Sequence, residues 1–316
     1  MAPSKKPAAF AKELSGLRAD LTKTIPAKRS GKNLLIATWN LKAFGDLNEA
    51  YANSTAHQPK RDMAALECIA EIVSRFDVVA IQEVKDNLKC LRHLMKLLGP
   101  HWAFVMTDTN KGRLGNGERL AFVFDKRRVD ISGLACEIVI PAEALSSKRY
   151  TLNKQFARTP YAVSFKAGGS TFVLLTLHVY YQAKASGRVN ELLSIARWAK
   201  DWAGDLKSWN HSLLVLGDFN IERQNDAAWQ AFTSTGLYTP PELQKPPRSL
   251  VDGKPKFYDQ ISWFKTTRQD KISLRFNTGG DYNFKGKVLQ SRNYTTEQLQ
   301  WRISDHLPLW AEFNLS

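Results

Sequence analysis

Cysteine is scarce in this sequence. Its 316 residues include three cysteines, Cys68, Cys90 and Cys136. Their number is odd and none belongs to a C-x-x-C pair, which argues against a disulfide framework and against a zinc site. Cys68 and Cys90 lie in helix-like segments, where we expect them to be small core residues.

Long apolar runs are also missing. No stretch approaches the roughly 18 apolar residues that a transmembrane helix needs, so no membrane span is expected. The N-terminal segment carries lysines but lacks the apolar part of a secretory signal peptide. These two absences predict a cytoplasmic protein.

Acidic residues are few relative to basic ones. Asp and Glu number 30 against 45 Lys and Arg, which gives a net charge of +15 and a pI near 9.7. This excess of positive charge favours polyanionic partners, such as nucleic acid, anionic membranes or phosphorylated substrates, without choosing among them.

The first 33 residues are especially basic. They hold eight basic and two acidic residues, hence a net charge of +6. The helical spacing of Phe10, Leu14, Leu17 and Leu21 predicts a short amphipathic helix. Residues 1–33 are interpreted as a basic N-terminal arm, acting either as a nucleic-acid-grasping segment or as a tail packed on the domain. Residues 34–316 are expected to form one domain.

Within that domain, apolar strand-like runs alternate irregularly with amphipathic helices, and several strands are joined by turns. This pattern predicts an α/β sandwich of mixed sheets flanked by helices. Strand after strand ends in a polar group, and ligand sites of α/β proteins lie at strand ends. These groups are Asn40, Glu83, His178, Asp218 with Asn220, Asp259 and Asp305-His306.

Each of these polar groups could belong to a functional site or simply to a turn, and the stretch Leu213 to Ile221, LLVLGDFNI, illustrates both interpretations. If the chain stays extended, Asp218 and Asn220 point the same way and form a polar site. The alternative is an Asx-type turn after a buried strand, which is equally consistent with this stretch alone.

Together these residues suit hydrolysis of a phosphate ester. The reaction needs a hard cation, for which Glu83 is the direct ligand and Asn40 and Asp305 are further candidates. It also needs a histidine base oriented by a carboxylate, and donors for the phosphoryl oxygens, such as Asn220. Asp218 is expected to handle a proton at the leaving oxygen or to orient the nucleophile.

The sequence resembles the endonuclease/exonuclease/phosphatase superfamily. The resemblance rests on the ordered motifs TWN, IQEV, RTPYAV, LHV, GDFN, YDQI and ISDHLPL, and covers residues 34 to 314. Within the superfamily, the sequence is most similar to the pancreatic-type deoxyribonucleases and their bacterial relatives. The resemblance implies a four-layered α/β sandwich of two packed sheets and Mg²⁺ or Mn²⁺ as cofactor.

The resemblance also implies residue roles. Glu83 is the metal ligand, with Asp305 touching the metal and Asn40 positioning metal or phosphate. Asp259 orients His306 as the favoured base. Arg158 contacts the phosphate. His178 stabilises the phosphate or acts as an acid, with Glu118 as its carboxylate partner. Asp218 and Asn220 are the GDFN pair.

Among possible substrates, DNA is favoured, cut by an endonuclease with little sequence preference. The alternatives are a phosphatase or phosphodiesterase for small or lipid esters, and an abasic-site nuclease. The W-R-x-D-Y pattern of abasic-site enzymes is absent before Asp259. Two further features suit a polynucleotide: the basic, aromatic-rich segment Asp270 to Arg302 and the basic residues beside the motifs. Those basic residues are Lys111, Arg113, Lys184, Arg188, Lys245, Arg248, Lys254 and Lys256.

Overall fold

The computed structural model describes residues 6–52, 59–141, 155–181, 185–207, 212–245, 247–250, 256–265 and 272–315. The strands are β1 (Asn33–Phe44), β2 (Val78–Lys85), β3 (Trp102–Met106), β4 (Glu118–Asp125), β5 (Asp130–Glu137), β6 (Tyr161–Ala167), β7 (Ser170–His178), β8 (Ser212–Asp218), β9 (Leu237–Tyr238), β10 (Asp259–Phe264), β11 (Arg275–Asp281) and β12 (Leu309–Asn314). The helices are α1 (Ala8–Thr24), α2 (Met63–Val73), α3 (Lys89–Leu98), α4 (Gly112–Gly115), α5 (Ala185–Lys207), α6 (Ala227–Thr233), α7 (Pro241–Gln244) and α8 (Thr296–Gln300).

These strands form two six-stranded mixed sheets, which confirms the predicted sandwich. The first sheet has the order β11-β12-β1-β2-β4-β3, and the second has the order β5-β6-β7-β8-β10-β9. Each sheet has a parallel pair at its centre, β1 with β2 and β7 with β8. The carboxyl ends of parallel strands meet at one edge, so each pair delivers two strand-end side chains to the same place.

Three apolar clusters separate the layers. The inner faces of the two sheets pack together through residues such as Ile36, Phe122, Phe165 and Leu214. Helices α1, α2 and α3 cover the outer face of the first sheet, while α5 and α6 cover the outer face of the second. Both sheets are therefore buried on both faces, which explains their continuous apolar runs.

Helix α1 lies on the first sheet's helical layer. Its apolar stripe, predicted from the spacing, is buried in the outer core cluster, with Leu21 fully inaccessible to solvent. On the polar side, Arg18 pairs with Glu71, and Lys6 lies 2.5 Å from Glu67. The helix of the N-terminal segment is thus packed on the body of the protein, and a nucleic-acid role for this segment stays a prediction.

The interpretation of Asp270 to Arg302 as a nucleic-acid surface stays a prediction, although three of the residues on which it rested lie in the interior. Tyr282 and Phe284 are fully buried, and Arg302 is only 1% exposed. Their aromatic rings belong to the outer core cluster beneath α1 and α2. In this segment buried aromatic residues alternate with basic residues, and the same composition is typical of a nucleic-acid-binding surface. Deleting Tyr282 to Gln298 would remove core side chains, so we expect it to unfold the protein rather than selectively weaken DNA binding.

Within the described ranges, no helix combines the length and the apolar character needed to cross a membrane. Cys68 and Cys90 are buried, as predicted.

Candidate active site

The carboxyl ends of the two parallel strand pairs come together where the sheets meet. Asn40 lies on β1 and Glu83 on β2, while His178 and Asp218 end β7 and β8 and pair directly in register. Across the sheets, Asn40 Nδ2 donates to Glu83 Oε1 and to Asp218 Oδ2, at 3.0 Å each. One amide therefore joins carboxylates from both sheets.

A glycine allows this close approach in the second sheet. Gly217 has φ +138°, and a Cβ added there would lie 2.1 Å from the carbonyl oxygen of Leu177. Any other residue would push β8 away from β7. Gly217 thus sets the position of Asp218 beside His178.

Asp218 uses its two oxygens differently. Oδ1 accepts the backbone N–H of Asn220 at 2.9 Å, while Oδ2 lies 3.5 Å from His178 Nε2 and 3.8 Å from His306 Nε2. Asn220 has φ +51°, so the chain does not stay extended here and the alternative of an Asx turn is the one that the structure shows. The stretch is an Asx turn and also part of the polar site. Burial favours a neutral Asp218, but the charges of His306 and His178 outweigh it and lower its pKa.

Glu83 sits in a local irregularity of the first sheet. Its φ is +61°, and the pairing of β2 with β4 shifts register between Ile81 and Val84. The bulge turns the Glu83 carboxylate toward β1, where Oε2 accepts the N–H of Ala43 at 2.8 Å. A left-handed conformation is costly for glutamate, and such strain is characteristic of functional sites.

His306 is bound by Asp259, as the motifs predicted. Its Nδ1 lies 2.8 Å from Asp259 Oδ2, and Asp259 pairs with Asp218 across β10 and β8. Burial lowers the pKa of His306, but the carboxylates of Asp259 and Asp218 overcome this effect and raise it above its ordinary value.

His178 is bound by Glu118, again the predicted partner. Its Nδ1 lies 3.1 Å from Glu118 Oε2, which also receives Arg158 Nε at 2.6 Å. Lys85 Nζ reaches Glu118 Oε1 at 2.9 Å. Burial favours a neutral Glu118, but its cationic neighbours, His178 first, hold its pKa well below the usual range.

Two predicted residues have other partners close by. Asp305 Oδ2 lies 2.7 Å from Lys42 Nζ, so this carboxylate is held by a cation. Asn220 Nδ2 donates to the carbonyl oxygen of Val179 at 2.6 Å, which ties the turn after β8 to the end of β7. For each, the role assigned from the resemblance stays a prediction.

Known proteins with similar sequences are nucleases. The chain is 25% identical over 201 residues to a deoxyribonuclease of Thioalkalivibrio sp., covering 61% of this chain and 48% of that protein. It is 24% identical over 312 residues to deoxyribonuclease-1 of Oryctolagus cuniculus, covering 93% of this chain and 96% of the relative. The match thus spans about half the length of the bacterial relative. No protein-family model matches.

Solved structures decide the fold. An endonuclease/exonuclease/phosphatase family protein from Bacteroides thetaiotaomicron superimposes with a TM-score of 0.59 at 18% identity, covering 90% of this chain and 98% of that one. This chain has the endonuclease/exonuclease/phosphatase fold. A mannosyl-6-phosphatase from the same organism gives a TM-score of 0.57 at 17% identity, covering 89% and 99%. The fold alone therefore leaves the substrate open.

Within this endonuclease/exonuclease/phosphatase fold, several residues that hold the site were missed. Ser304 Oγ donates to the carbonyl oxygen of Asn40 at 2.5 Å and accepts the N–H of His306 at 3.0 Å. Trp39 Nε1 donates to the carbonyl oxygen of His306 at 2.9 Å. Trp39 lies in the motif TWN and Ser304 in the motif ISDHLPL. Their positions in these motifs, close to Asn40 and His306, could have indicated that they support the site.

Two basic residues expected to contact a polynucleotide have other surroundings than predicted. Arg248 is fully buried and its Nε donates to the carbonyl oxygen of Asp259 at 2.5 Å, so this prediction is wrong. Arg188 belongs to α5, not to a loop, and is 7% exposed, with Nη1 3.4 Å from Glu222 Oε1; its contact with a polynucleotide stays a prediction. Lys184 and Lys254 lie outside the described residues, as does the side chain of Arg113.

The acidic groups of this endonuclease/exonuclease/phosphatase fold suit a hard cation. Asp218, Asp259 and His306 each place one ligand atom within 4.8 Å of the others, so they form a possible metal site. Glu83 lies outside this group of three and is a separate candidate ligand, because each of its oxygens accepts one hydrogen bond from the described residues and keeps lone pairs free. Asn40 directs Nδ2 to the carboxylates and Oδ1 to the N–H of Lys42, so it would bind a cation only after its amide turned.

Proposed function

We propose that the protein is a Mg²⁺-dependent endonuclease that hydrolyses DNA phosphodiester bonds with little sequence preference, and that Mn²⁺ can replace Mg²⁺. The main support is the position of Asp218 Oδ2, which lies between the Nε2 atoms of His178 and His306. Asn40 Nδ2 donates to this oxygen at 3.0 Å and holds it in place. Two histidines, each backed by a carboxylate, thus face one central acid. This arrangement suits proton transfer at a phosphate ester.

His306 is the proposed proton acceptor for the attacking water. Asp259 fixes its Nδ1, which leaves Nε2 directed toward Asp218. Asp218 orients the water whose oxygen forms the new bond to phosphorus. The bond from phosphorus to the leaving oxygen breaks, and this oxygen receives a proton from the Nε2 of His178. Since the carboxylates raise the pKa of His306, its proton must leave before it can act as the base.

His178, Asn220 and Arg158 are proposed to contact the phosphoryl oxygens. Arg158 Nη1 is buried and has no hydrogen-bond partner among the described residues. Its Nε lies 2.6 Å from Glu118 Oε2 in an ion pair that lacks hydrogen-bond geometry, so the charge of Glu118 positions the guanidinium while Nη1 remains available. A fixed donor of this kind stabilises charge that develops on a phosphoryl oxygen.

The cation is proposed to bind Glu83, with Asp305 and Asn40 beside it. A hard cation there supplies positive charge to the phosphate and to the surrounding carboxylates. Lys42 holds Asp305 in the protein alone, so Asp305 would exchange this ammonium group for the cation.

DNA is the proposed substrate because two independent features favour it. The chain carries a net charge of +15, which suits a phosphate backbone. The relatives that match 93% and 61% of this chain are both named deoxyribonucleases.

The test is a panel of supercoiled plasmid, RNA, bis-p-nitrophenyl phosphate and inositol phosphates, each with Mg²⁺, with Mn²⁺ and with EDTA. We expect cation-dependent conversion of supercoiled plasmid to nicked circles, suppressed by EDTA. Cleavage limited to inositol phosphates would reject the nuclease and favour a small-molecule phosphatase. Nicking confined to plasmid with abasic sites would indicate a repair nuclease.

A further inference from the structure

A second group of charged and aromatic residues lies beside the catalytic residues. Three donors converge on the carboxylate of Glu222: the Tyr181 hydroxyl at 2.7 Å, Lys256 Nζ at 3.0 Å and Arg188 Nη1 at 3.4 Å. We call these four residues the Glu222 cluster. They come from the segment after β7, from α5, from the segment after β8 and from the segment before β10.

The Glu222 cluster borders the proposed catalytic site directly. Tyr181 lies three residues after His178, and Glu222 lies two residues after Asn220. Tyr258 bridges the two groups, since its ring centroid is 5.5 Å from that of His306 and 6.0 Å from Lys256 Nζ. The charges of both Asp218 and Glu222 act on the Tyr258 hydroxyl. A strand of nucleic acid at His306 would therefore pass the cluster.

The cluster has more donors than its own acid uses. Arg188 and Lys256 carry two positive charges against the single charge of Glu222. Arg188 is 7% exposed, and its Nε is buried with no hydrogen-bond partner among the described residues. The guanidinium also stacks 4.8 Å from the ring of Tyr181, which holds it in place. A fixed arginine with an unused nitrogen is suited to two-point contact with a phosphate.

We propose that Tyr181, Arg188 and Lys256 bind a non-scissile phosphate of the polynucleotide, and that Glu222 occupies these donors in the free protein. This inference rests on the proposed nuclease function. A carboxylate and a phosphate present similar anionic oxygens, so both suit the same guanidinium, ammonium and phenol groups. Glu222 is consequently an internal competitor of the substrate, and the strand must displace its carboxylate to use these donors fully.

The sign of one substitution tests the proposal. Removing an acid at random from a DNA-binding surface has a small, long-range effect, whereas neutralising Glu222 removes the charge that holds three donors at once. We expect Glu222→Gln to tighten binding of a short DNA duplex by about three- to tenfold in EDTA, where no cutting occurs. Its salt dependence should steepen by about one counterion. Fluorescence anisotropy at several salt concentrations measures both quantities.

Two lysine variants serve as a matched pair, one at a lysine proposed to contact the phosphate and one at a lysine with no such contact. Lys256→Gln should weaken binding by about three- to tenfold, whereas Lys166→Gln, an exposed lysine on β6, should leave it unchanged. In the double variant Glu222→Gln/Lys256→Gln, the gain from Glu222→Gln should shrink, because one of the released donors is gone. Circular dichroism confirms that each variant folds.

Unchanged or weaker DNA binding by folded Glu222→Gln would overturn the proposal, as would a full gain in the double variant. If the wild-type protein binds and cuts no DNA, the proposed function fails, and inorganic phosphate then tests the donors separately. Titrated into Glu222→Gln protein carrying ¹⁵N-arginine, phosphate should shift the Arg188 Nε–H resonance more than it does in the wild type. Equal shifts, or none, would reject the subsite.

Discussion

The two histidines of the site are held by carboxylates in different surroundings. Glu118, the partner of His178, also receives Arg158 at 2.6 Å and Lys85 at 2.9 Å. Asp259 Oδ2 accepts from His306, and Asp259 Oδ1 is buried with no hydrogen-bond partner among the described residues. One carboxylate is thus divided among several cations, whereas the other acts chiefly on one imidazole.

This difference separates two functions of similar-looking pairs. The Glu118 pair is a charge network whose removal leaves buried cations uncompensated, so it contributes strongly to folding. The carboxylate of Asp259 interacts chiefly with the imidazole of His306. We therefore expect this pair to contribute mainly to proton transfer. The following experiments compare the pairs, beginning with the largest expected effect.

Replacing His306 should have the largest effect. We expect His306→Ala to lower kcat for plasmid nicking by about 10⁴-fold, because the proposed base is lost, and His178→Ala to lower it by about 10²-fold. Initial rates with saturating Mg²⁺ measure both values, and thermal melts check folding. Equal losses in the two variants would show that the histidines have equivalent roles.

The carboxylates should show the reverse order in stability. Glu118→Gln leaves Arg158 and Lys85 without their anion, and we expect it to cost about 3–5 kcal/mol of unfolding free energy. Asp259→Asn should cost less while reducing nicking more. Urea titrations give the free energies. A larger stability loss in Asp259→Asn would contradict the distinction.

Glu191 extends the comparison to the helical layer behind His178. Burial raises the pKa of this α5 carboxyl from 4.5 to about 7. Hydrogen bonds from the backbone of Tyr180 and Ala157, and then the charges of Arg158 and His178, only partly oppose the rise. The folded state then holds the proton longer than the unfolded state. Stability is therefore full below pH 4.5 and declines by about 3 kcal/mol as pH rises through 7.

Glu191→Gln should remove most of this decline. Urea unfolding of both proteins at pH 5 and pH 8 measures it, and the variant should gain relative to the wild type at pH 8. Parallel pH profiles for the two proteins would show that Glu191 does not titrate in this range.

Lys85 should show the smallest effect. Its side chain is 24% exposed, so solvent screens its pair with Glu118. We expect Lys85→Gln to cost less than about 1 kcal/mol and to change nicking by less than about tenfold. A loss matching that of Glu118→Gln would mean that Lys85, not Arg158, is the main counter-charge of Glu118.

Much of the fold and site could be predicted because the relevant signals are local. Apolar runs ending in Asn40, Glu83, His178 and Asp218 predicted strands whose ends meet, and the structure brings those four residues together. The order of the motifs likewise placed Asp259 with His306, which lie 2.8 Å apart.

The remaining features depend on contacts between distant segments. Tyr282 and Arg302 looked like a binding surface, since nothing local shows that Tyr282 packs in the core beside α1 or that Arg302 is buried against Tyr294. Arg248 resembled a loop cation, yet it is fully buried beside Asp259. The left-handed conformation of Glu83 follows from a register shift between strands, which a single segment does not specify.

The division of the site between the sheets has a consequence for folding. Asn40, Glu83 and Glu118 come from the first sheet, and His178, Asp218 and Asp259 from the second. Neither sheet carries the full set of groups, so the site assembles only when the two sheets pack face to face. Partial unfolding of either sheet would therefore dismantle the site before the other sheet is lost.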